Sequence, residues 1–435
     1  MNELSNNKNK LSEKIIYWLI VILPFSLISG PFLSDLSISI ITLLFIYISF
    51  KNKYYYFYNN KYSKIFGFFF LILLITSFLS IDTFISLKKT LFYFRFWIFA
   101  LAVWYIFSFK KEKLCNHLIL TFSLAFIFLI VDGYIQFFLK ENIFGWPMYG
   151  TRLSSLFGDE LILGSYLSRM LPIFFALLIY INFNKKIYHY LIFFIIFVGV
   201  ETLIFLSGER VAFFYVNAST LMLILTMRNF KLFRISTFIV SILIIFALVN
   251  IYPDSSKRIV DKTVKQLGFD NEKIINDKEL TQNKKINSKK FIFSLEHQNH
   301  YISSIRMFKD NVVSGIGPRM FRFICGEEKY YLWEGCSTHP HNSYVQLLAE
   351  TGLIGFMFGL TIFIIIFYNV IKHFVLKFRR KKFIYTDFQL CLLSAILISI
   401  WPFVPTGDLF NNWLSIIYFF PVGFYLSSVY SKIKL

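Results

Sequence analysis

The chain has 435 residues, of which 56% are hydrophobic and only 16% are charged. Apolar runs of about 20 residues recur along it, which is typical of membrane-spanning helices and excludes an ordinary soluble domain. The formal net charge of +20 does not by itself indicate nucleic-acid binding, because lysine and arginine accumulate in the cytoplasmic loops of membrane proteins.

The pattern predicts an all-α, polytopic membrane protein. The runs lack the alternation of a transmembrane β-barrel, and helices satisfy their own backbone groups in lipid. The polar stretch 1–14 leads directly into an apolar run without a small-residue cleavage site, so we expect no removable signal peptide. About twelve spans are predicted, near 15–30, 34–50, 65–81, 90–108, 114–136, 161–182, 188–206, 211–227, 233–252, 344–370, 386–403 and 412–430.

The distribution of lysine and arginine predicts the orientation of these spans. The two ends of the chain and every second connection are rich in both residues, whereas the short connections between them carry few. The positive-inside rule therefore puts both termini in the cytoplasm and the long connection between spans nine and ten in the periplasm. The expected organisation is membrane helices in 1–252, a periplasmic loop in 253–343 and further membrane helices in 344–435.

The predicted outer segment 253–343 is the largest polar region of the chain. Its lysine- and asparagine-rich middle, 270–290, is typical of a flexible, solvated excursion, and Gly315-Ile-Gly-Pro318 is typical of a tight turn. Cys325 and Cys336 lie in the same segment. Because the periplasm is oxidising, we expect a disulfide between them.

A pair of histidines precedes the tenth predicted span. Pro340 disfavours helix at His339, whereas Asn342 suits the N-cap of the helix that follows. His341 is therefore expected at the entrance of a membrane helix. A histidine with an ordinary pKa of about 6.5 can accept a hydroxyl proton near neutral pH, which favours a general base over a merely polar surface residue.

Zinc binding is an alternative for the same stretch, since Cys325, Cys336, His339 and His341 are four possible ligands. However, the Cys-x2-His-x-His spacing is unusual for zinc, and thiols outside the cytoplasm tend to oxidise. We therefore expect neither a metal nor another cofactor.

Several cations are predicted on the same side as the histidines. Arg210 lies in a very short turn between spans seven and eight, and Arg306 lies upstream of the glycine-rich turn. The others lie near spans four and six: Lys88, Lys89, Arg95, Arg152 and Arg169. Such cations are costly unless they pair or face a polar cavity, so the group indicates an anion site, with diphosphate the best match to guanidinium. Taken singly, each arginine is also compatible with snorkelling or an ion pair, as between Arg210 and Glu209.

From His339 to Gly355 the sequence reads His-Pro-His-Asn-Ser-Tyr-Val-Gln-Leu-Leu-Ala-Glu-Thr-Gly-Leu-Ile-Gly. This stretch resembles the signature of the O-antigen ligase and O-antigen polymerase superfamily. Further stretches similar to that family, within residues 130–360, are Thr151-Arg-Leu-Ser-Ser-Leu-Phe-Gly158, Gly164-Ser-Tyr-Leu, Leu171-Pro172, Leu206-Ser-Gly-Glu-Arg210, and Arg306-Met-Phe-Lys through Gly315-Ile-Gly-Pro318. Two positions depart from it: Glu209 and Arg319 stand where small or polar residues are more common.

The resemblance implies a metal-independent, inverting glycosyltransferase with a GT-C-like fold in the bacterial inner membrane. Its donor would be a glycan on undecaprenyl diphosphate, and its acceptor a hydroxyl of the lipid A core. At the matching positions, Arg210 and Arg306 would bind the diphosphate and His341 would activate the acceptor. The other candidates for substrate binding are Arg152, Lys88, Lys89, His339, Asn342 and Arg319.

Other functions remain open at this level. An O-antigen polymerase, which joins lipid-linked repeat units, and a protein O-oligosaccharyltransferase share the chemistry and differ in the acceptor. A transporter for lipid-linked sugars belongs to a different class and would carry charges throughout its spans. The deep acidic candidates here are few, chiefly Asp132 and Glu201, which favours the enzyme.

Overall fold

The structure, a computed structural model, describes residues 2–183, 186–261, 263–264, 294–380 and 383–430. These residues form helices joined by loops, and the all-α fold is confirmed. The helices are α1 (Asn2–Ile28), α2 (Pro31–Lys51), α3 (Lys61–Phe78), α4 (Thr83–Thr90), α5 (Phe94–Phe109), α6 (Lys111–Leu139), α7 (Leu163–Tyr180), α8 (Ile187–Leu206), α9 (Arg210–Thr226), α10 (Lys231–Ile251), α11 (Leu295–Asp310), α12 (Phe321–Ile324), α13 (Ser343–Phe378), α14 (Asp387–Ser399) and α15 (Asn412–Tyr430). The predicted excursion at 270–290 lies outside the described residues.

Ten stretches of the described chain are long and apolar enough to cross a membrane, which makes this a multi-pass membrane protein. One of them combines α4 and α5. The other two predicted spans, 211–227 and 386–403, correspond to the shorter apolar helices α9 and α14.

The eleventh predicted span ends earlier than expected. Helix α14 stops at Ser399, because Pro402 follows closely and proline disfavours helix at the residue before it. The connection 400–411 that results carries the polar residues Thr406 and Asp408 to the end of the bundle.

The helices differ in how deeply they are buried. Helices α5, α7 and α15 lie largely inside the bundle, whereas most residues of α3, α10 and α13 are partly buried or exposed. Apolar residues around the whole circumference of an outer helix are typical of contact with lipid.

One end of the bundle, here called the loop end, gathers the long connections. The backbone N–H of Thr406 donates to the carbonyl of His341 at 2.8 Å, and that of Ile81 donates to the carbonyl of Ile316 at 3.3 Å. Arg258 donates to the carbonyl of Gly208 at 2.9 Å. Connections that are distant in sequence therefore meet at the loop end.

Candidate active site

His341 is held in an uncommon backbone conformation at the start of α13. Its φ is 55°, a left-handed value that is infrequent in residues other than glycine and is often found at functional sites. Its carbonyl accepts the bond from Thr406, while Asn342 begins the helix directly after it. The imidazole ring is thereby fixed at the mouth of α13.

Asn342 has the structural role of an N-cap. Its side-chain oxygen accepts hydrogen bonds from the N–H groups of Tyr344 and Val345 at 2.9 and 3.1 Å, as expected of an N-cap residue. Its amide nitrogen donates to the carbonyls of Pro402 and Val404 at 2.9 and 3.2 Å. Asn342 therefore joins α13 to the connection 400–411.

Four histidines converge at this point. The ring centroid of His341 lies 4.1 Å from that of His339, 5.1 Å from that of His300 and 5.2 Å from that of His297. The last two come from α11 and were missed in the sequence. Their spacing of three residues on a helix was the signal that could have revealed them.

Burial controls the protonation of this histidine cluster, defined as His297, His300, His339 and His341. Burial, and after it the neighbouring His341, lowers the pKa of each of the other three to about 4. Burial also lowers the pKa of His341, against an opposing effect of Glu296. All four rings are therefore neutral near pH 7, and a neutral imidazole can accept a proton.

One polar atom of the cluster lacks a protein partner. Within the described part of the chain, Nδ1 of His300 is buried without a hydrogen bond. Buried polar atoms are usually paired, so this nitrogen can take a further hydrogen-bond partner. The described residues contain no group of three or more His, Cys, Asp or Glu side chains arranged to hold a metal ion.

Three arginines surround the tight turn at Gly208, and they are called the arginine group below. A Cβ atom placed on Gly208 would lie 3.1 Å from Cδ of Arg258 and 3.6 Å from Cγ of Arg152. Arg210 follows the turn and lies close enough to Arg258 for the charge of Arg258 to lower its pKa. The charge of Arg210 in turn lowers the pKa of His297. The arginine group therefore lies beside the histidine cluster.

Arg258 was not predicted as a site residue. It follows the tenth helix in Lys257–Asp261, a short π-helical segment, and donates its Nε–H to the carbonyl of Gly208. The available signal was an arginine close after an apolar span on the outer side.

Glu209, the departure from the family pattern, turns towards the start of α7. Its carboxylate accepts the N–H groups of Gly164 and Ser165 at 2.6 and 3.1 Å, a favourable place for a negative charge. Burial raises the pKa of Glu209 to about 7, while Arg152 and these two N–H groups act in the opposite direction. Glu209 therefore braces the turn that presents Arg210.

A second set of cations lies on the other side of the cluster, around Asp408. Arg322 pairs with Asp408 at 3.2 Å, and both act electrostatically on His339. Lys89 and Arg319 are close enough to affect each other's charge. This set is partly neutralised by its own carboxylate, Asp408.

Lys89 and Asp408 are further fixed by neutral side chains. Lys89 donates to the side-chain oxygen of Asn412 at 2.7 Å. Gln346 donates to Asp408 at 2.7 Å and to Glu350 at 3.0 Å. A polar network therefore continues from α13 to the 400–411 connection.

The structure does not bring two of the predicted residues into this site. Arg306 is exposed on α11 and donates to the carbonyl of Tyr331 at 3.4 Å. It follows His297 by about two and a half helical turns, which puts it on the opposite face of the helix. Lys88 is exposed as well, because it precedes Lys89 by one residue on a helix.

The glycine turn and the break in α13 interlock behind His341. At Gly352 the helix departs from helical geometry, with φ 64°, so the carbonyls of Ala349 and Glu350 accept the N–H groups of Ile316 and Gly317 at 2.9 and 3.0 Å. A Cβ atom on Gly352 would lie 2.2 Å from the carbonyl oxygen of Val313. Only glycine fits this position without displacing backbone.

Cys325 and Cys336 form a disulfide in the structure, with Cα atoms 5.0 Å apart. The bridge closes the segment between α12 and the histidines. Ser337, the next residue, donates to the carbonyl of His339 at 2.6 Å. The covalent link is therefore continuous with the stretch that carries His341.

The deep acidic residues are engaged in structural contacts. Asp132 accepts hydrogen bonds from Ser155 at 2.6 Å and from the N–H of Ile143 at 3.0 Å, and so braces the connection after α6. Glu201 forms a buried ion pair with Arg234 and accepts a bond from Ser241 at 2.7 Å. These contacts account for both carboxylates without a transport pathway.

The fold and the loop end thus define a multi-pass helical membrane protein in which neutral histidines meet arginines at one end of the bundle. Residues 191–360 match a family model described as O-antigen ligase. The matched segment, from α8 into α13, carries the histidine stretch and supports the resemblance to the O-antigen ligase and polymerase superfamily. The match supports glycan transfer of the ligase or polymerase type, with lipid-linked glycan and membrane lipid as partners. No match to the chain was found among curated proteins.

Proposed function

We propose that the protein is an O-antigen ligase-type glycosyltransferase of the bacterial inner membrane. It moves a glycan from undecaprenyl diphosphate to a hydroxyl of the lipid A core at the periplasmic face, and both of its termini lie in the cytoplasm. The observation that carries this proposal is the contact of neutral His341 with three further neutral histidines, beside the arginine group.

The reaction assigned to this site is a direct displacement. The acceptor oxygen attacks the anomeric carbon, the bond from that carbon to the diphosphate oxygen breaks, and His341 accepts the hydroxyl proton. The anomeric centre is inverted. A positioned base contributes about 100- to 10,000-fold to the rate of such a step.

The arginine group, Arg152, Arg210 and Arg258, stabilises the leaving diphosphate. Negative charge develops there as the bond breaks, and guanidinium groups fixed in advance reduce the free energy of that transition state. Their geometry also suits phosphate oxygens, which accept two parallel hydrogen bonds from one guanidinium. The unpaired ring nitrogen of His300 is available to the acceptor hydroxyl or to the sugar.

A lipopolysaccharide gel from a host that lacks this gene tests the proposal. The wild-type gene should restore long glycan on the core, whereas His341→Ala should leave bare core and strand the glycan on the lipid carrier. Core capped by one repeat unit would instead identify a polymerase. If the lipopolysaccharide pattern of the host does not depend on this gene, the protein is neither an O-antigen ligase nor an O-antigen polymerase. A protein acceptor or a transport function would then have to be tested.

A further inference from the structure

Helix α11 has two unlike faces. One face is buried and carries His300, Ser303, Ser304 and Met307. The other exposes Leu295, Ile302 and Ile305 together with the basic residues Arg306 and Lys309, and these five residues are called the outer face below. Exposed apolar residues combined with basic ones are typical of a helix that lies against a lipid surface.

Helix α11 begins beside a helix that crosses the membrane. At Gly352 the chain of α13 folds back, so that Tyr344 packs against Gly359, where an added Cβ atom would lie 3.9 Å from the tyrosine ring. Gly359 follows Gly352 by about 10 Å of helix at 1.5 Å per residue. The ring of His300 lies 5.1 Å from that of His341, which precedes Tyr344 by three residues. The first turns of α11 are therefore level with the loop-end turns of the membrane helix.

The far end of α11 is joined to the exposed surface of the same membrane helix. The N–H of Leu353 donates to the carbonyl of Val312, just beyond α11, at 2.8 Å. At this junction Val312, Val313, Leu353 and Ile354 are between 44% and 65% exposed. The apolar surface is therefore continuous from α11 to α13, and large exposed apolar surfaces mark contact with a membrane or a partner.

Two exposed aromatic residues flank the outer face. Asn299 donates to the carbonyl of Trp333 at 2.8 Å, and Arg306 donates to that of Tyr331 at 3.4 Å. The side chains of Trp333 and Tyr331 are 59% and 54% exposed. Tryptophan and tyrosine are enriched where the hydrocarbon of a bilayer meets water, which favours a position of α11 at that boundary.

We propose that the outer face of α11 binds the surface of the membrane at the loop end. Leu295, Ile302 and Ile305 contact acyl chains, while Arg306 and Lys309 extend to lipid phosphates, since long basic side chains can keep their stems in apolar surroundings and their charge in a polar layer. A second copy of the chain fits this face less well, because two such faces would bring like charges together.

This contact fixes the depth of the histidine cluster. His297 and His300 lie on the side of α11 that faces His341, so a helix anchored by its outer face holds the cluster near the level of the lipid phosphates. The inference goes beyond the proposed function, because it concerns how the site is held against the bilayer and does not depend on the acceptor.

The test is the quenching of a fluorescent label by lipid. Ile302→Cys and Ile305→Cys are each labelled with bimane, in nanodiscs that contain a phospholipid with a nitroxide near the ester end of its acyl chain. Cys115 and Cys391 are buried and the other two cysteines form a disulfide, so the label reacts at the new residue.

Two further sites serve as controls. Ile364→Cys reports contact with lipid, since Ile364 is 53% exposed on α13. Glu328→Cys reports contact with water, since Glu328 is exposed in the segment after α12. Lys309→Cys, measured with the nitroxide on the lipid headgroup instead of the chain, tests the contact with phosphate.

Labels at Ile302→Cys and Ile305→Cys should be quenched about threefold more than the label at Glu328→Cys, and nearly as much as that at Ile364→Cys. Either variant suffices if the other does not fold. At Lys309→Cys the headgroup nitroxide should quench more than the chain nitroxide.

Three results would overturn the inference. They are quenching at both isoleucine positions no stronger than at Glu328→Cys, a reversed order of the two quenchers at Lys309→Cys, and a disulfide between two copies of unlabelled Ile305→Cys, which would identify a second chain on this face. None of these measurements depends on glycan transfer, so the inference and the proposed function can fail separately.

Discussion

The backbone carbonyl of Glu350 accepts a hydrogen bond from the N–H of Gly317 at 3.0 Å. This bond joins two stretches that are separate in the sequence, the glycine turn and the break in α13. The first fixes the segment that carries Arg319 and Arg322, and the second lies below His341. Their contact sets the position of the base relative to the cations.

Gly352→Ala should destabilise the protein by more than ~1 kcal/mol, since alanine is strained at positive φ and its Cβ atom would collide with the carbonyl of Val313. The measurement is the thermal unfolding midpoint in detergent. Gly326→Ala is the control, because nothing lies within 4 Å of a Cβ atom at Gly326. Equal midpoints for the two variants would show that the break at Gly352 is not required.

Arg258→Ala should raise the donor KM about tenfold to a hundredfold, the loss expected for a charged hydrogen bond to phosphate. Arg258→Lys should recover part of it, because the charge returns without the planar fork. Lys257→Ala removes the same charge one residue away, at an exposed side chain that pairs with Asp254, and should leave KM unchanged. A similar effect from both alanine variants would indicate a general charge effect instead of a phosphate contact.

Arg210→Ala should weaken donor use more than Arg306→Ala. Arg210 acts on His297, whereas Arg306 is exposed and contacts the carbonyl of Tyr331. The comparison uses donor KM and kcat with purified protein. A larger loss from Arg306→Ala would mean that α11 turns towards the donor when substrate binds, as the family pattern implies.

The stability of the loop end should depend on pH through the histidine cluster. In the folded protein the pKa values of His297, His300 and His339 are lowered to about 4, whereas an unfolded histidine titrates near about 6.5. The unfolded state therefore binds more protons between these values, and stability falls as pH decreases from about 6.5 towards 4. Unfolding midpoints across this range, for the wild type and for a variant with all three changed to glutamine, measure the effect. If the unfolding midpoint of the wild type falls with decreasing pH no more steeply than that of the variant, the histidine rings are not buried in the neutral form.

The sequence predicted the helices well, because membrane helices are recognisable from long apolar runs and charged connections. It also predicted the position of His341 from local signals, namely Pro340 and the capping Asn342. These features depend on neighbours in the chain, which a sequence displays directly.

The rest of the site depends on contacts that no local pattern reveals. His297 and His300 reach His341 only because α11 packs beside the start of α13, and Asp408 arrives because α14 ends at Ser399. Arg306 lies on the face of α11 opposite to the histidine cluster, although the family resemblance had made Arg306 a candidate site residue. Spatial neighbours such as Arg258 and Gly208 are distant in sequence, so their partnership required the structure.

The most direct test of the central claim is a transfer assay with purified protein, a lipid-linked glycan donor and lipid A core. His341→Ala should reduce kcat at least a hundredfold while the protein keeps its unfolding midpoint, and a chelator should leave the wild-type rate unchanged. Near-normal transfer by His341→Ala, or loss of wild-type activity that zinc restores, would contradict a histidine base acting without a metal.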